Sequence, residues 1–244
     1  MDTTSVIDAQ PLTENEIYER MVTTILDHRL PPGTKLVEDR LASAFGVSRT
    51  RIRPVLVRLA NEQIVTLTPN RGATVAQPTE SEAREVFQVR RLIEPTLIEC
   101  FIDQASAQDI ATLTACIAAE EAARACGDMR RAIRLSGDFH LHIANAAKHQ
   151  TLGRILRELV SRTSLILMTY GTTSVLGPSQ GRTDAAACGC REHRALLDAI
   201  RLRDPREAAR LMQEHLEQLE LQLQFDEPVA DAPDLMALFG AVDA

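Results

Sequence analysis

The sequence has no tryptophan, and its 244 residues are only 3% aromatic. Any sizeable core must therefore be assembled from Leu, Ile, Val and Ala. No apolar run approaches the roughly 18 residues of a membrane-spanning helix, and the N-terminus lacks the charged-then-apolar pattern of a secretory leader. Cysteines are few and odd in number. Cys100, Cys116, Cys126, Cys188 and Cys190 show no small-domain disulfide spacing, which points to reduced thiols in a soluble, cytoplasmic protein without a membrane partner. Glycine and proline, 11 of each, are too sparse to interrupt the long Ala- and Leu-rich stretches, so a mostly α-helical chain is expected. Hydrophobic residues, at 45%, suffice for one large or two modest domains.

The net charge of −7 argues against a nucleic-acid partner only if it is evenly spread. It is not: residues 1–77 hold nine Lys/Arg against nine Asp/Glu, and the rest of the chain holds 18 against 25. Between Arg40 and Thr79 the only acid is Glu62, against six arginines at 40, 49, 51, 53, 58 and 71. A locally basic face on an acidic body can still grip phosphate.

Residues 46–59 concentrate that charge. Ser48 is a good N-cap residue, and at 100° per residue Ile52, Val55, Leu56 and Leu59 share one face. Thr50, Arg53, Pro54 and Val57 point away from it, with Arg49, Arg51 and Arg58 on the flanks. A DNA-recognition helix fits this pattern, as does the solvated face of an ordinary helix. The neighbours favour the first. Residues 1–11 form a polar arm; Thr13 with Glu16 makes a capping box for a helix burying Ile17, Met21 and Ile25, with His28 in its last turn to compensate the helix dipole. A short helix over about 38–45 buries Leu41, Ala42 and Phe45, and Gly46-Val47-Ser48 is the tight turn before the arginine-rich helix. The pattern then changes to period two, Val65–Thr68 and Ala73–Val75 around Pro69-Asn70-Arg71-Gly72, predicting a β-hairpin with Arg71 at its tip. Three helices and a hairpin make a winged helix over 12–77.

The run Pro32-Gly33…Leu36…Glu38…Leu41-Ala42…Gly46-Val47-Ser48-Arg49-Thr50…Arg53…Leu56…Leu59…Asn70-Arg71-Gly72…Val75 resembles the GntR family of bacterial transcription regulators. The chain departs from that pattern twice. Pro54 stands where the family usually has a glutamate or another helix former, and it removes the hydrogen bond to the Thr50 carbonyl. Asp39 stands where many members carry a DNA-contacting arginine.

Residues 78–80 form a hinge, and 81–225 read as helices over roughly 81–102, 106–125, 129–148, 151–170, 190–202 and 205–225. Gly127, a 171–190 loop and Asp204-Pro205 separate them. The acidic, Pro-containing tail 226–244 is either a tether with a docking helix at Leu235–Phe239 or a loose end.

Within this second region His140, His193 and His215 each lie on an apolar helical face. Taken singly, each is an ordinary buried imidazole with one hydrogen bond; aimed together into one bundle, three imidazoles can hold a divalent metal. Spacing alone does not bring them together. Phe139-His140…Ile143-Ala144, Glu192-His193…Leu196-Leu197-Asp198-Ala199-Ile200 and Met212…His215-Leu216 resemble the FCD effector domain of the FadR branch of GntR regulators. The resemblance implies a helical bundle holding zinc, nickel or manganese through an aspartate and these three histidines, beside a small effector that often carries a carboxylate. Ser136 occupies the aspartate position, leaving either three histidines completed by water or effector, or no metal. Arg90 matches an arginine that often contacts the effector; pairing with Glu94 at i,i+4 is the alternative. Arg162 interrupts an apolar run and faces either the cavity or an ion-pair partner. The Asp138/His142 pair reads as a surface contact. Cys188-Gly-Cys190 reads as incidental thiols, extra ligands or a redox pair.

The expected function is a ligand-responsive, homodimeric DNA-binding regulator, a repressor altered by a small carboxylate-bearing metabolite. Arg49, Thr50, Arg51 and Arg53 would enter the major groove of an operator, and Arg71 the adjacent minor groove or backbone. Two alternatives stay open: a metal-dependent hydrolase on the three histidines, and a DNA-binding dimer without an effector.

Overall fold

The computed structural model describes residues 12–27, 29–171, 188–225 and 235–239. His28 lies outside them. The first part runs α1 (Glu14–Leu26), β1 (Lys35–Leu36), α2 (Glu38–Phe45), α3 (Arg49–Asn61), β2 (Val65–Thr68) and β3 (Gly72–Val75). Thr13 and Glu16 form the anticipated capping box of α1. Gly46, in the left-handed region at φ 63°, ends α2 and turns the chain into α3. Ser48 is the N-cap of α3 but makes no side-chain cap bond; its hydroxyl lies 2.6 Å from that of Thr50 instead. α3 continues through Pro54 to Asn61.

The hairpin pairs Val65 with Val75 and Thr68 with Gly72, and positive φ at Asn70 and Gly72 shapes its tip. The pattern reading missed β1, whose Lys35 and Leu36 pair with Thr74 and Ala73 to place β3 in the middle of a three-stranded sheet. Two residues carry no readable alternation.

The second part comprises α4 (Glu80–Gln104), α5 (Ala107–Ala125), α6 (Met129–Ala146), α7 (Gln150–Tyr170), α8 (Cys188–Arg201) and α9 (Pro205–Leu221), followed by a short α10 (Leu235–Phe239). Capping boxes at Thr79/Glu82 and Ser106/Asp109 start α4 and α5. Asp204 caps α9 with Pro205 in its first turn. One apolar core joins α4 to α9 through residues such as Phe87, Phe101, Leu113, Phe139, Leu196 and Leu216. At Gly137 α6 comes so close to α7 that a Cβ would sit 2.9 Å from Val160 Cγ1.

A second core fills the winged helix, and it takes in residues from elsewhere. Leu165 of α7 is wholly buried in it, and Leu235 and Phe239 of α10 complete it. The Phe239 ring lies 4.8 Å from that of Phe45. Across the junction Arg134 of α6 pairs with Asp27 at 3.1 Å, and the Tyr170 hydroxyl donates to the Pro78 carbonyl at 2.6 Å. No described helix is long and apolar enough to cross a membrane.

Candidate functional site

Two sites stand out, one in the winged helix and one in the helical bundle. In α3, Ile52, Val55, Leu56 and Leu59 are buried as their spacing requires, which turns Arg49, Thr50 and Arg53 to solvent. The first turn of α2 supplies carboxylates to these arginines. Arg53 Nε donates to both Glu38 oxygens at 3.1 and 2.9 Å, and Arg49 Nε lies 3.2 Å from Asp39. Both pairs are largely exposed and hence weak, so they align the guanidiniums while leaving them exchangeable. Arg51 departs from expectation: its Nη1 donates to the Leu12 carbonyl at 2.7 Å, tying α3 to the start of α1. The residue before the buried Ile52 faces α1 rather than outward. Arg71 is exposed at the hairpin tip.

The other site is buried. α6, α8 and α9 bring His140, His193 and His215 together, so that one ligand atom from each lies within 4.8 Å of the others. His193 Nε2 and His215 Nε2 are 3.3 Å apart, and Phe139 stacks on His193 at 4.2 Å. The opposite ring edges are committed. His140 Nδ1 meets Glu94 at 2.6 Å, His193 Nδ1 meets Glu120 at 2.8 Å and His215 Nδ1 meets Glu192 at 2.6 Å. His140 Nε2 is buried without a hydrogen-bond partner.

Burial, only partly offset by Glu94, pushes His140 down to about 3, and burial lowers His215 as well. Burial alone would raise Glu94, but Arg90 and His140 outweigh it and bring the carboxyl to about 2. Glu120 reaches about 2 in the same way, with His193 and Arg124 overcoming burial. The site therefore combines carboxylates that favour the ionised form, Glu94 and Glu120, with imidazoles that favour the neutral form, His140 and His215. Unprotonated, inward-facing imidazole nitrogens suit a zinc-like divalent cation, and the orphaned His140 Nε2 fits such an occupant.

Arg90 is wholly buried beside this cluster. Its Nε donates to Glu94 at 2.5 Å and its Nη1 to Thr163 at 3.2 Å, so the ion pair at i,i+4 is present; Nη2 is buried without a partner. Arg162 does not join it. One residue from the inward-facing Thr163, it lines a cleft at the domain junction with Gln63, Thr66, Gln77 and Glu82. The 100° step along a helix separates the two side chains.

Cys190 is buried near Glu120, and its thiol is pushed up to about 12, chiefly by burial. That opposes both thiolate ligation and redox reactivity. The side chain of Cys188 lies outside the described residues. Asp138 and His142 line a shallow groove with Cys116 and Leu135, away from the histidine cluster. The sequence reading did not assign the three glutamates to the histidines; Glu94 entered it only as a partner for Arg90. Glu120 carried a usable signal, an acid on the same helical face as Leu113, Ile117 and Ala123. Glu192 was misleading: it adjoins His193 in sequence but serves His215.

Residues 85–218 match the FCD domain family, and residues 13–75 match the bacterial regulatory proteins of the gntR family. Among curated relatives, the HTH-type regulator YdhC of Bacillus subtilis (strain 168) is 24% identical over 145 residues, covering 59% of this chain and 65% of its own length. McbR of Escherichia coli (strain K12) is 25% identical over 130 residues, covering 53% of this chain and 59% of its own. The solved structure of E. coli McbR/YncC shares the fold at TM-score 0.70 and 20% identity, over 84% of this chain and 93% of that one. A putative GntR regulator from Rhodococcus sp. RHA1 does so at TM-score 0.73 and 20% identity, over 86% and 96%. These similarities lend the hydrolase alternative no support.

Proposed function

The chain belongs to the gntR family of bacterial regulatory proteins, with an FCD domain as its second part, and from that we propose that it is a DNA-binding transcription regulator answering to a small molecule. The observation that carries the reading is the exposed set Arg49, Thr50 and Arg53 on a helix whose opposite face is locked into the winged-helix core. These side chains enter the major groove, Arg71 reaches the flanking minor groove or backbone, and Arg51 braces the helix instead of reading bases. Two copies bind a short pseudo-palindrome as a homodimer, and the outcome is repression.

The FCD domain receives the signal. His140, His193 and His215 would hold a divalent metal, zinc, nickel or manganese, which would supply a positive centre for an anionic group. Arg90, with Nη2 uncommitted, takes the carboxylate of the same effector through charge-assisted hydrogen bonds. Arg162 sits at the domain junction, suited to sensing the relative placement of the domains rather than the effector. Binding in the bundle changes operator affinity because α7 and the hinge contact both domains, a coupling of two binding free energies.

The test is selection of an operator from random duplex DNA with the tag-free protein, followed by titration of Arg53→Ala on the selected sequence. If Arg53 makes a bidentate base contact, the variant loses about 1–3 kcal/mol of specific binding and relaxes preference at one base pair. A loss below a few tenths of a kcal/mol would remove Arg53 from base readout. Failure to enrich any sequence would overturn the DNA-binding reading.

A further inference from the structure

The three histidines are held by a second ring of residues that follows a single plan. Each Nδ1 faces a different glutamate at 2.6–2.8 Å, and in each case the acid and the histidine sit on different helices: Glu94 on α4 with His140 on α6, Glu120 on α5 with His193 on α8, and Glu192 on α8 with His215 on α9. An ionised carboxylate only accepts hydrogen bonds, so each contact requires the proton on Nδ1. Nε2 is then left as a lone pair. The His193 and His215 Nε2 atoms stand 3.3 Å apart, and His140 Nε2 is buried with nothing to bond to. Three imidazoles anchored in this way turn their Nε2 atoms toward one point, where a single cation can be shared among them.

Two of the acids are themselves held in place, Glu94 by Arg90 and Glu120 by Arg124. In the resemblance described above a ligating aspartate supplies negative charge directly, and this chain has Ser136 at that position. Outer carboxylates that accept from ligand imidazoles raise the basicity of the ligands and fix their orientation.

We infer that Glu94, Glu120 and Glu192 are positioning residues that lock His140, His193 and His215 in the Nδ1–H tautomer and aim three Nε2 atoms at one divalent cation. This rests on the metal reading of the preceding section. It goes beyond that reading by making metal affinity a property of three acids that touch no metal. Glu94 has an added consequence: its Oε1 holds Arg90 while its Oε2 holds His140, so one carboxylate links the anion-binding arginine to the metal-facing histidine.

The experiment is a zinc titration of the full-length, tag-free chain against a chromophoric chelator, with parent, Glu94→Gln, Glu120→Gln, Glu120→Ala, Ser136→Ala and His193→Ala compared. Circular dichroism checks that each is folded. Alongside it, two-bond 1H–15N correlation spectra of the zinc-free parent read the histidine tautomers. The glutamine variants keep an acceptor of the same shape and lose the charge; they should bind zinc about 10-fold more weakly, and Glu120→Ala up to about 100-fold more weakly. Ser136→Ala should match the parent, His193→Ala should not bind, and the spectra should show Nδ1–H imidazoles. Parent-like zinc affinity in both glutamine variants, or Nε2–H tautomers in the parent, would overturn the positioning role while leaving the metal reading intact. No zinc uptake by the parent would overturn the metal reading and the inference together.

Discussion

At the scale of single residues the most informative group is a carboxylate that the sequence shows only as the i,i+4 partner of an arginine. Glu94 spans Arg90 and His140 inside the bundle, and a buried charge of this kind is tolerable only while its partners are in place. Acid should expose that dependence. Metal-free His140 stays neutral down to about 3 when folded, against an ordinary value of 6.5, so the unfolded chain takes up the proton first. Its contribution to stability is complete above about pH 6.5 and is lost as pH falls toward 3. Glu94, ionised down to about 2 rather than 4.5, adds a further loss starting near pH 4.5. The melting temperature of the chelator-treated protein should therefore drop between pH 7 and pH 5 and drop faster below; a flat profile across that window would contradict a neutral, buried His140. What was legible here was the histidines, because an imidazole on an apolar helical face is conspicuous. Their acids lie 46, 73 and 23 residues away, and no periodicity spans such distances.

Among the elements, α3 shows how a local rule can be broken without losing the helix. Pro54 removes the hydrogen bond to the Thr50 carbonyl, yet the helix runs unbroken from Arg49 to Asn61, because Ile52, Val55, Leu56 and Leu59 are pinned in the core on both sides of it. Pro54→Ala should restore the missing bond at an exposed position. We expect a gain of about 1–2 kcal/mol in urea-unfolding free energy, part of the proline penalty being offset by the greater freedom of the unfolded alanine chain. No gain would mean that the backbone around Thr50 is already satisfied with proline present. The helix boundaries of the second domain were readable to within a few residues because capping residues, Gly127 and Asp204-Pro205 punctuate long periodic stretches. β1 was not, since only its pairing with β3 makes it a strand.

Over the whole molecule, the division into two domains is clear in sequence but their fastening is not. Arg162 illustrates the limit: the sequence identified a cation in an apolar run, while only the packing shows that it belongs to the junction. α7 passes from Thr163, which touches Arg90, to Leu165 in the winged-helix core and Tyr170 on the hinge carbonyl. Removing the Leu165 side chain should cost about 2–5 kcal/mol, as for other large-to-small changes in a core. Calorimetry of Leu165→Ala should separate one unfolding transition into two, with the winged helix melting first; a single, uniformly lowered transition would show that the domains are joined chiefly elsewhere.

α10 adds a matter of timing. Leu235 and Phe239 fill the core around Phe45, so the winged helix is completed by residues synthesised only after the whole bundle. Until then Phe45 lacks its ring partner, and the nascent winged helix carries an uncovered apolar patch through the synthesis of the entire bundle. A chain clipped between the bundle and α10 accordingly yields a winged helix whose core was never closed.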